Sequence, residues 1–226
     1  MVHLYIMPDW FFELNLVFEI LFALFTAAIA YYSIKIYKLS SQEESRNFGW
    51  SFGFLSLSYV ILIFMNTAFL SFMTTSLRAI EIDDMMGFRN FIIVSYLFFM
   101  IIGLITLFYT TLKTKSPRIY ALLLALSLAA IYFSCNRSVI VYLVSSILLF
   151  FVSYNYLAEY KKNKNKNTLY VGLGMAFLFA SNILMGFVGN SVLYNFYVFS
   201  RVFEIAAYSI IMFSLIRILK YGKKKK

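Results

Sequence analysis

Long apolar runs with almost no charge constrain this chain more than any other feature. Leu14 to Ala30 holds a single charged residue, Glu19, and Phe91 to Leu107 holds none. Runs of this length match helices that cross a hydrocarbon core, which takes about 20 residues and at least ~17. A membrane β-barrel would instead alternate apolar and polar residues at every second position, and these runs do not. Composition closes off the soluble alternative. The 226 residues are 62% hydrophobic and 13% charged, against about 45–50% and about 25% in soluble domains. A core of this size cannot bury that much apolar surface, so lipid must cover it.

The expectation is therefore an all-α, polytopic integral membrane protein, one transmembrane domain over residues 1–226. Seven apolar segments are placed near residues 11–34, 49–73, 90–112, 118–135, 138–157, 168–189 and 197–219, followed by a basic tail at 220–226. Only Asn136 and Arg137 separate the fourth and fifth segments, so a single kinked or re-entrant element is an alternative there. The first segment is expected to be retained and not cleaved as a signal peptide. No Lys or Arg precedes Lys35, and its apolar run exceeds a signal h-region.

Charge sets the expected direction. Sixteen of the twenty basic residues fall in the segments Lys35–Arg46, Lys113–Arg118, Lys161–Lys166 and Arg217–Lys226. The intervening segments keep Arg78, Arg89, Arg137 and Arg201 with Asp9, Glu13, Glu81, Asp83 and Asp84. By the positive-inside rule this predicts an external N-terminus and a cytoplasmic C-terminus in the plasma membrane. The net charge of +10 is then topogenic, and no nucleic-acid partner is expected. Lys223, Lys224, Lys225 and Lys226 are expected to attract anionic lipid headgroups, each by about 1 kcal/mol. The segment Lys161 to Asn167 reads as a hydrophilic connector without a packing role.

One cysteine, Cys135, and one histidine, His3, leave no material for a disulfide framework or a histidine metal site, and no cofactor is expected. The outer acids Glu81, Asp83 and Asp84 offer hard oxygen ligands to a divalent cation, but a solvated, negatively charged loop is the preferred reading and no metal site is expected. No HExxH, Gly-x-Ser-x-Gly or P-loop occurs, and an enzyme is not expected.

A shift of 123 residues superposes helices 1–2 on helices 5–6. Tyr31, Tyr37, Lys38, Gly49, Phe54, Leu55 and Ser58 fall on Tyr154, Tyr160, Lys161, Gly172, Phe177, Leu178 and Ser181. A shift of 112 lays Arg89, Phe91 and Tyr96 on Arg201, Phe203 and Tyr208. Helices 1 and 5 run in the same direction, so the halves would be parallel repeats joined by helix 4. This 3+1+3 plan resembles that of sugar transporters of the SWEET class, with seven-helix rhodopsin-like proteins as a second comparison. No Pro-Gln dipeptide occurs, and helix 7 has no mid-membrane lysine to hold retinal; the resemblance is architectural. Small residues (Gly49, Ser51 and Gly53 in helix 2; Gly172, Gly174 and Ala176 in helix 6, continued by Gly186 and Gly189) point to close helix packing and to helices 2 and 6 lying inside the bundle.

Ionisable groups at mid-depth cost at least ~2.5–3.5 kcal/mol on insertion scales, so each is informative. Glu19, Asn182 and Glu204 sit at similar depth below the outer boundary, Arg201 stands one turn from Glu204, and Arg137 lies at the outer junction of helices 4 and 5. One reading is an outward-opening pocket lined by Glu19, Asn182, Arg201, Glu204 and Arg137, which binds a zwitterion or exchanges a proton. The other is structural, with Arg201 neutralising Glu204 and Glu19 either protonated or bonded to Asn182. Asn66 reads as interfacial. The expected function is a small-solute carrier or permease, with a seven-helix receptor or sensor, or an accessory subunit of a membrane complex, each acting through a separate partner, as the alternatives.

Overall fold

The computed structural model describes residues 12–75, 82–112, 116–134, 137–188 and 194–223. These form seven helices: α1 (Phe12–Ser40), α2 (Glu43–Thr75), α3 (Ile82–Thr111), α4 (Pro117–Tyr132), α5 (Arg137–Asn163), α6 (Lys166–Val188) and α7 (Tyr194–Lys223). Six are long and apolar enough to cross a membrane, and α4, with 16 residues, is shorter. At 1.5 Å per residue it spans about 24 Å, against a hydrocarbon core of about 30 Å. The all-α membrane architecture is as expected. The fourth and fifth segments are separate helices, α4 closing with the Phe133 amide on the Ala129 carbonyl at 3.0 Å.

Most helices extend past the expected spans, because backbone hydrogen bonding continues into water once the apolar stretch has nucleated the helix. The Lys161–Asn167 connector is corrected on this ground. α5 runs to Asn163, α6 starts at Lys166, and Asn167 accepts a hydrogen bond from Ser214 Oγ at 3.1 Å. The segment is helical except for a two-residue turn, and it packs against α7.

The helices close into a ring. α2 packs between α1 and α3, α6 packs between α5 and α7, and the two triplets meet along α1–α7 and α3–α5. α4 lies outside, against α3 and α5, with Leu122, Leu126, Tyr132 and Phe133 exposed. Side chains near the starts of α1 and α7 bond directly, Tyr197 to Asn15 at 2.6 Å, so these helices are parallel. Side chains near the ends of α3 and α5 bond likewise, Asn155 to Thr111 at 3.3 Å, so these are parallel too. The chain between α3 and α5 must therefore return through the length of the bundle, and α4 is the element that carries it. The basic turns after α1 and α5 and the C-terminal ends of α3 and α7 consequently gather at one end.

The two triplets repeat each other's geometry at the 123-residue spacing. Among the described residues, two non-glycine positions have positive φ, Ser41 (55°) and Lys164 (52°), and they are 123 apart. Each follows a helix whose last turn it closes, Ser41 N–H on Tyr37 O at 2.7 Å and Lys164 N–H on Tyr160 O at 2.8 Å, the left-handed helix stop. A β-carbon on Gly49 would meet Ile34, and one on Gly172 would meet Leu157, again at the same spacing. Gly174 packs against α7, where an added β-carbon would lie 2.5 Å from Ile211. Ser51, its counterpart, presents its carbonyl to Gly103 on α3 at 2.8 Å from that glycine's would-be β-carbon.

Two expectations about these helices need correction. Gly53 has no atom within 4 Å of a built β-carbon, so it does not serve close packing. Helices α2 and α6 are the middle members of their triplets yet keep an outer face, with Trp50, Val60, Phe64 and Phe187 exposed. A ring of six helices leaves every member one side toward lipid.

Candidate functional site

The polar groups inside the ring come from short helical stripes. On α7, Tyr197, Arg201, Glu204 and Tyr208 follow at spacings of four, three and four, which stacks them on one face. On α1, Asn15 and Glu19 are one turn apart. On α2, Tyr59 and Asn66 are two turns apart. The three stripes converge, burying Glu19 (1% exposed), Arg201 (6%) and Glu204 (8%).

A continuous chain of contacts joins them. Asn66 Nδ2 donates to both Glu19 oxygens at 2.9 and 2.7 Å, and Asn15 Nδ2 donates to Glu19 Oε1 at 2.6 Å. Asn15 Oδ1 accepts from the Tyr197 hydroxyl, which accepts in turn from Arg201 Nη2 at 2.9 Å. Arg201 Nη1 donates to Glu204 Oε2 at 3.0 Å, forming a buried ion pair. Glu204 Oε1 accepts from the Tyr59 hydroxyl, which lies 2.9 Å from that of Tyr208. The guanidinium also sits over the rings of Tyr197 (5.0 Å) and Phe22 (5.5 Å), whose π faces attract it. Arg201 is thus shared, reaching Glu204 directly and Glu19 through Tyr197 and Asn15. With both carboxylates ionised, the cluster carries one net negative charge.

Beside the cluster lies a cavity of about 30 Å³. Its wall draws on both triplets at matched positions: Leu55 with Leu178 and Tyr59 with Asn182 at the 123 spacing, and Tyr96 with Tyr208 at 112. Arg201 and Glu204 also line it. Two buried atoms of the wall residues have no hydrogen-bond partner, the donor Arg201 Nε and the acceptor Asn182 Oδ1. Ser181 and Ser200 bond across α6 and α7 next to it at 2.9 Å.

A second, larger cavity of about 370 Å³ opens at the basic end of the α3–α5 seam, lined by Glu44, Thr110, Thr111, Asn155, Glu159 and Lys162 among others. Leu104 and Leu149 border the central cavity, and Thr111 and Tyr156 border this one. The nearest lining positions, Leu104 to Thr110 and Leu149 to Asn155, are six residues apart on each helix, a rise of about 9 Å, and the fully buried Leu107 and Val152 fall between.

Of the residues singled out in the sequence, Glu19, Arg201 and Glu204 come together in one network. Asn182 joins Arg201 and Glu204 at the cavity, but it donates to the Leu178 carbonyl at 2.9 Å and makes no bond to Glu19. The partners of Glu19 are Asn15 and Asn66, so Asn66 faces the bundle and not the membrane interface. The cavity is walled by α2, α3, α5, α6 and α7, and Glu19 stands behind Arg201, off its lining. The side chains of Arg137, Glu81, Asp83, Asp84 and Lys223 to Lys226 lie outside the described residues. Asn15, Tyr59, Tyr197 and Tyr208 were not singled out. The one-turn spacings Asn15–Glu19 and Tyr197–Arg201 were the available signal.

No protein-family model, curated protein or solved structure matches the chain.

Proposed function

We propose that the protein is a small-solute carrier that crosses the membrane seven times, with the N-terminus outside and α4 completing the fourth crossing. One observation carries this reading: the charged cluster lies inside the bundle, beside a cavity walled at matched positions by two parallel triplets. Carriers built from repeats place their sites at such an interface and work by moving one half against the other. The two seams are unlike in a way that suits such motion. α1–α7 is tied by the short Asn15–Tyr197 bond at 2.6 Å, whereas α3–α5 holds the apolar Leu104, Leu107, Leu149 and Val152, carries the longer Asn155–Thr111 bond at 3.3 Å and ends in the 370 Å³ cavity. Small-molecule pockets measure about 300–1,000 Å³. The α3–α5 cavity is therefore the solute's mouth, and the 30 Å³ cavity at Arg201 is not its resting place in this conformation. A receptor or subunit role has no specific support from this arrangement.

The test is uptake by proteoliposomes, screened over amino acids, sugars and organic ions. The expected result is saturable uptake by the wild type and its loss in a folded Glu204→Gln variant. Equal uptake by wild type and variant, or none for any solute class, would reject the proposal.

A further inference from the structure

The charged cluster has a second role within this carrier reading, on which the inference rests. We infer that the carrier is coupled to protons, and that the proton reaches Glu204 by relay through water in the central cavity. Three observations lead there. The cluster holds two carboxylates against one guanidinium, and a buried net charge inside a membrane bundle calls for a counter-charge. The cavity beside it is about 30 Å³, room for water and too small for an organic counter-ion. Finally, the unpartnered wall atoms are one donor, Arg201 Nε, and one acceptor, Asn182 Oδ1. A water seated between them would accept from the first and donate to the second. A sodium ion fits poorly, because it would keep its full charge beside the guanidinium, whereas a proton is taken into the Glu204 carboxyl.

The charged and titratable groups around the Arg201–Glu204 pair come from several elements: Glu19 on α1, Tyr59 on α2, Tyr96 on α3, Tyr142 on α5, and Tyr197 and Tyr208 on α7. From α6 only the neutral Asn182 and Ser181 face it. Glu204 lines the cavity and Glu19 does not, which places the exchange at Glu204. The step balances simply. Hydronium in the cavity gives its proton to a Glu204 oxygen and remains as water. Arg201, released from Glu204, keeps Glu19 as its counter-charge through Tyr197 and Asn15, and the cluster becomes neutral. Release reverses these changes when the site faces the other side.

Infrared difference spectra between acid and alkaline buffers test the site without a known solute. The wild type in liposomes should show a protonated-carboxyl band, absent from Glu204→Gln and displaced in Glu204→Asp; Glu19→Gln should keep it. A band that survives Glu204→Gln, or no band in the wild type, overturns the assignment. Should Glu204→Gln fail to fold, the displacement in Glu204→Asp decides alone, and an undisplaced band overturns it. Thermal stability at fixed pH should not respond to exchanging potassium for sodium; a sodium-specific rise overturns the proton in favour of sodium. Uptake that proceeds equally with and without a pH gradient would overturn proton coupling and leave the carrier standing. A Glu204 band in a protein that moves no solute would overturn the carrier instead.

Discussion

Replacing Arg201 by Met is the most demanding test of the buried network. The substitution removes the ion pair to Glu204 at 3.0 Å, the bond to Tyr197 at 2.9 Å and two ring contacts, while keeping an apolar stem of similar length. It leaves Glu19 and Glu204 buried without a cation. Removing one partner of a buried pair costs about 3–5 kcal/mol, because the abandoned charge dominates. The second half of the cycle is diagnostic. Glu204→Gln on the Arg201→Met background removes one stranded carboxylate and should restore stability instead of costing it, so that the coupling, the recovery added to the cost of Glu204→Gln in the wild type, reaches or exceeds the about 0.5–3 kcal/mol found for groups in contact. Glu204→Gln on the wild type removes one partner of the pair but also the net negative charge, so it should cost less than Arg201→Met. Equilibrium unfolding in mixed micelles of a mild detergent and dodecyl sulfate, for all four proteins, measures the cycle. Additive effects, or a cost for Arg201→Met under about 1 kcal/mol, would show that Arg201 and Glu204 are not coupled and would refute the network.

Other outcomes follow from single contacts. Asn66→Leu removes two bonds to Glu19 and should cost about 1.5–3 kcal/mol, as for bonds to a charged group; the same substitution in a Glu19→Gln protein should cost visibly less. Gly103→Ala and Gly174→Ala push a methyl against neighbours at 2.8 and 2.5 Å and should cost about 1–3 kcal/mol by overpacking, whereas Gly53→Ala meets nothing and should be neutral or slightly stabilising in thermal unfolding. Thr111→Cys with Asn155→Cys, in a Cys135→Ser background, should form a disulfide across the α3–α5 seam and stop uptake, with reduction restoring it. For orientation, an impermeant maleimide should label Lys164→Cys in that background only in opened cells, whereas the native Cys135 of the wild type should be labelled from outside.

What the residues alone revealed follows the forces that act locally. Apolar length placed all seven helices, since the hydrocarbon core selects segments by their own composition. The periodic spacing of Glu204 from Arg201 announced an ion pair within one helix, since both lie on one face whatever the fold. The repeat was legible as identities at 123 and 112, though its geometry was not. Neither Ser41 nor Lys164 has a side chain that prefers the left-handed region, and their equivalence appears only in the backbone.

Contacts between helices were another matter. The sequence by itself determined an all-α membrane protein, the segments that form its helices, the gathering of basic residues toward one end and the few polar groups that must find partners away from lipid. Tertiary structure alone decided who those partners are. Asn66 is 47 residues from Glu19, and Tyr59 is 145 from Glu204. In lipid, neighbouring helices gain little from apolar burial, so their pairing rests on small-residue fit and polar contacts between surfaces distant in the chain. Those contacts placed Glu19 behind Arg201 and Asn182 at the cavity wall, an arrangement no spacing along one helix encodes.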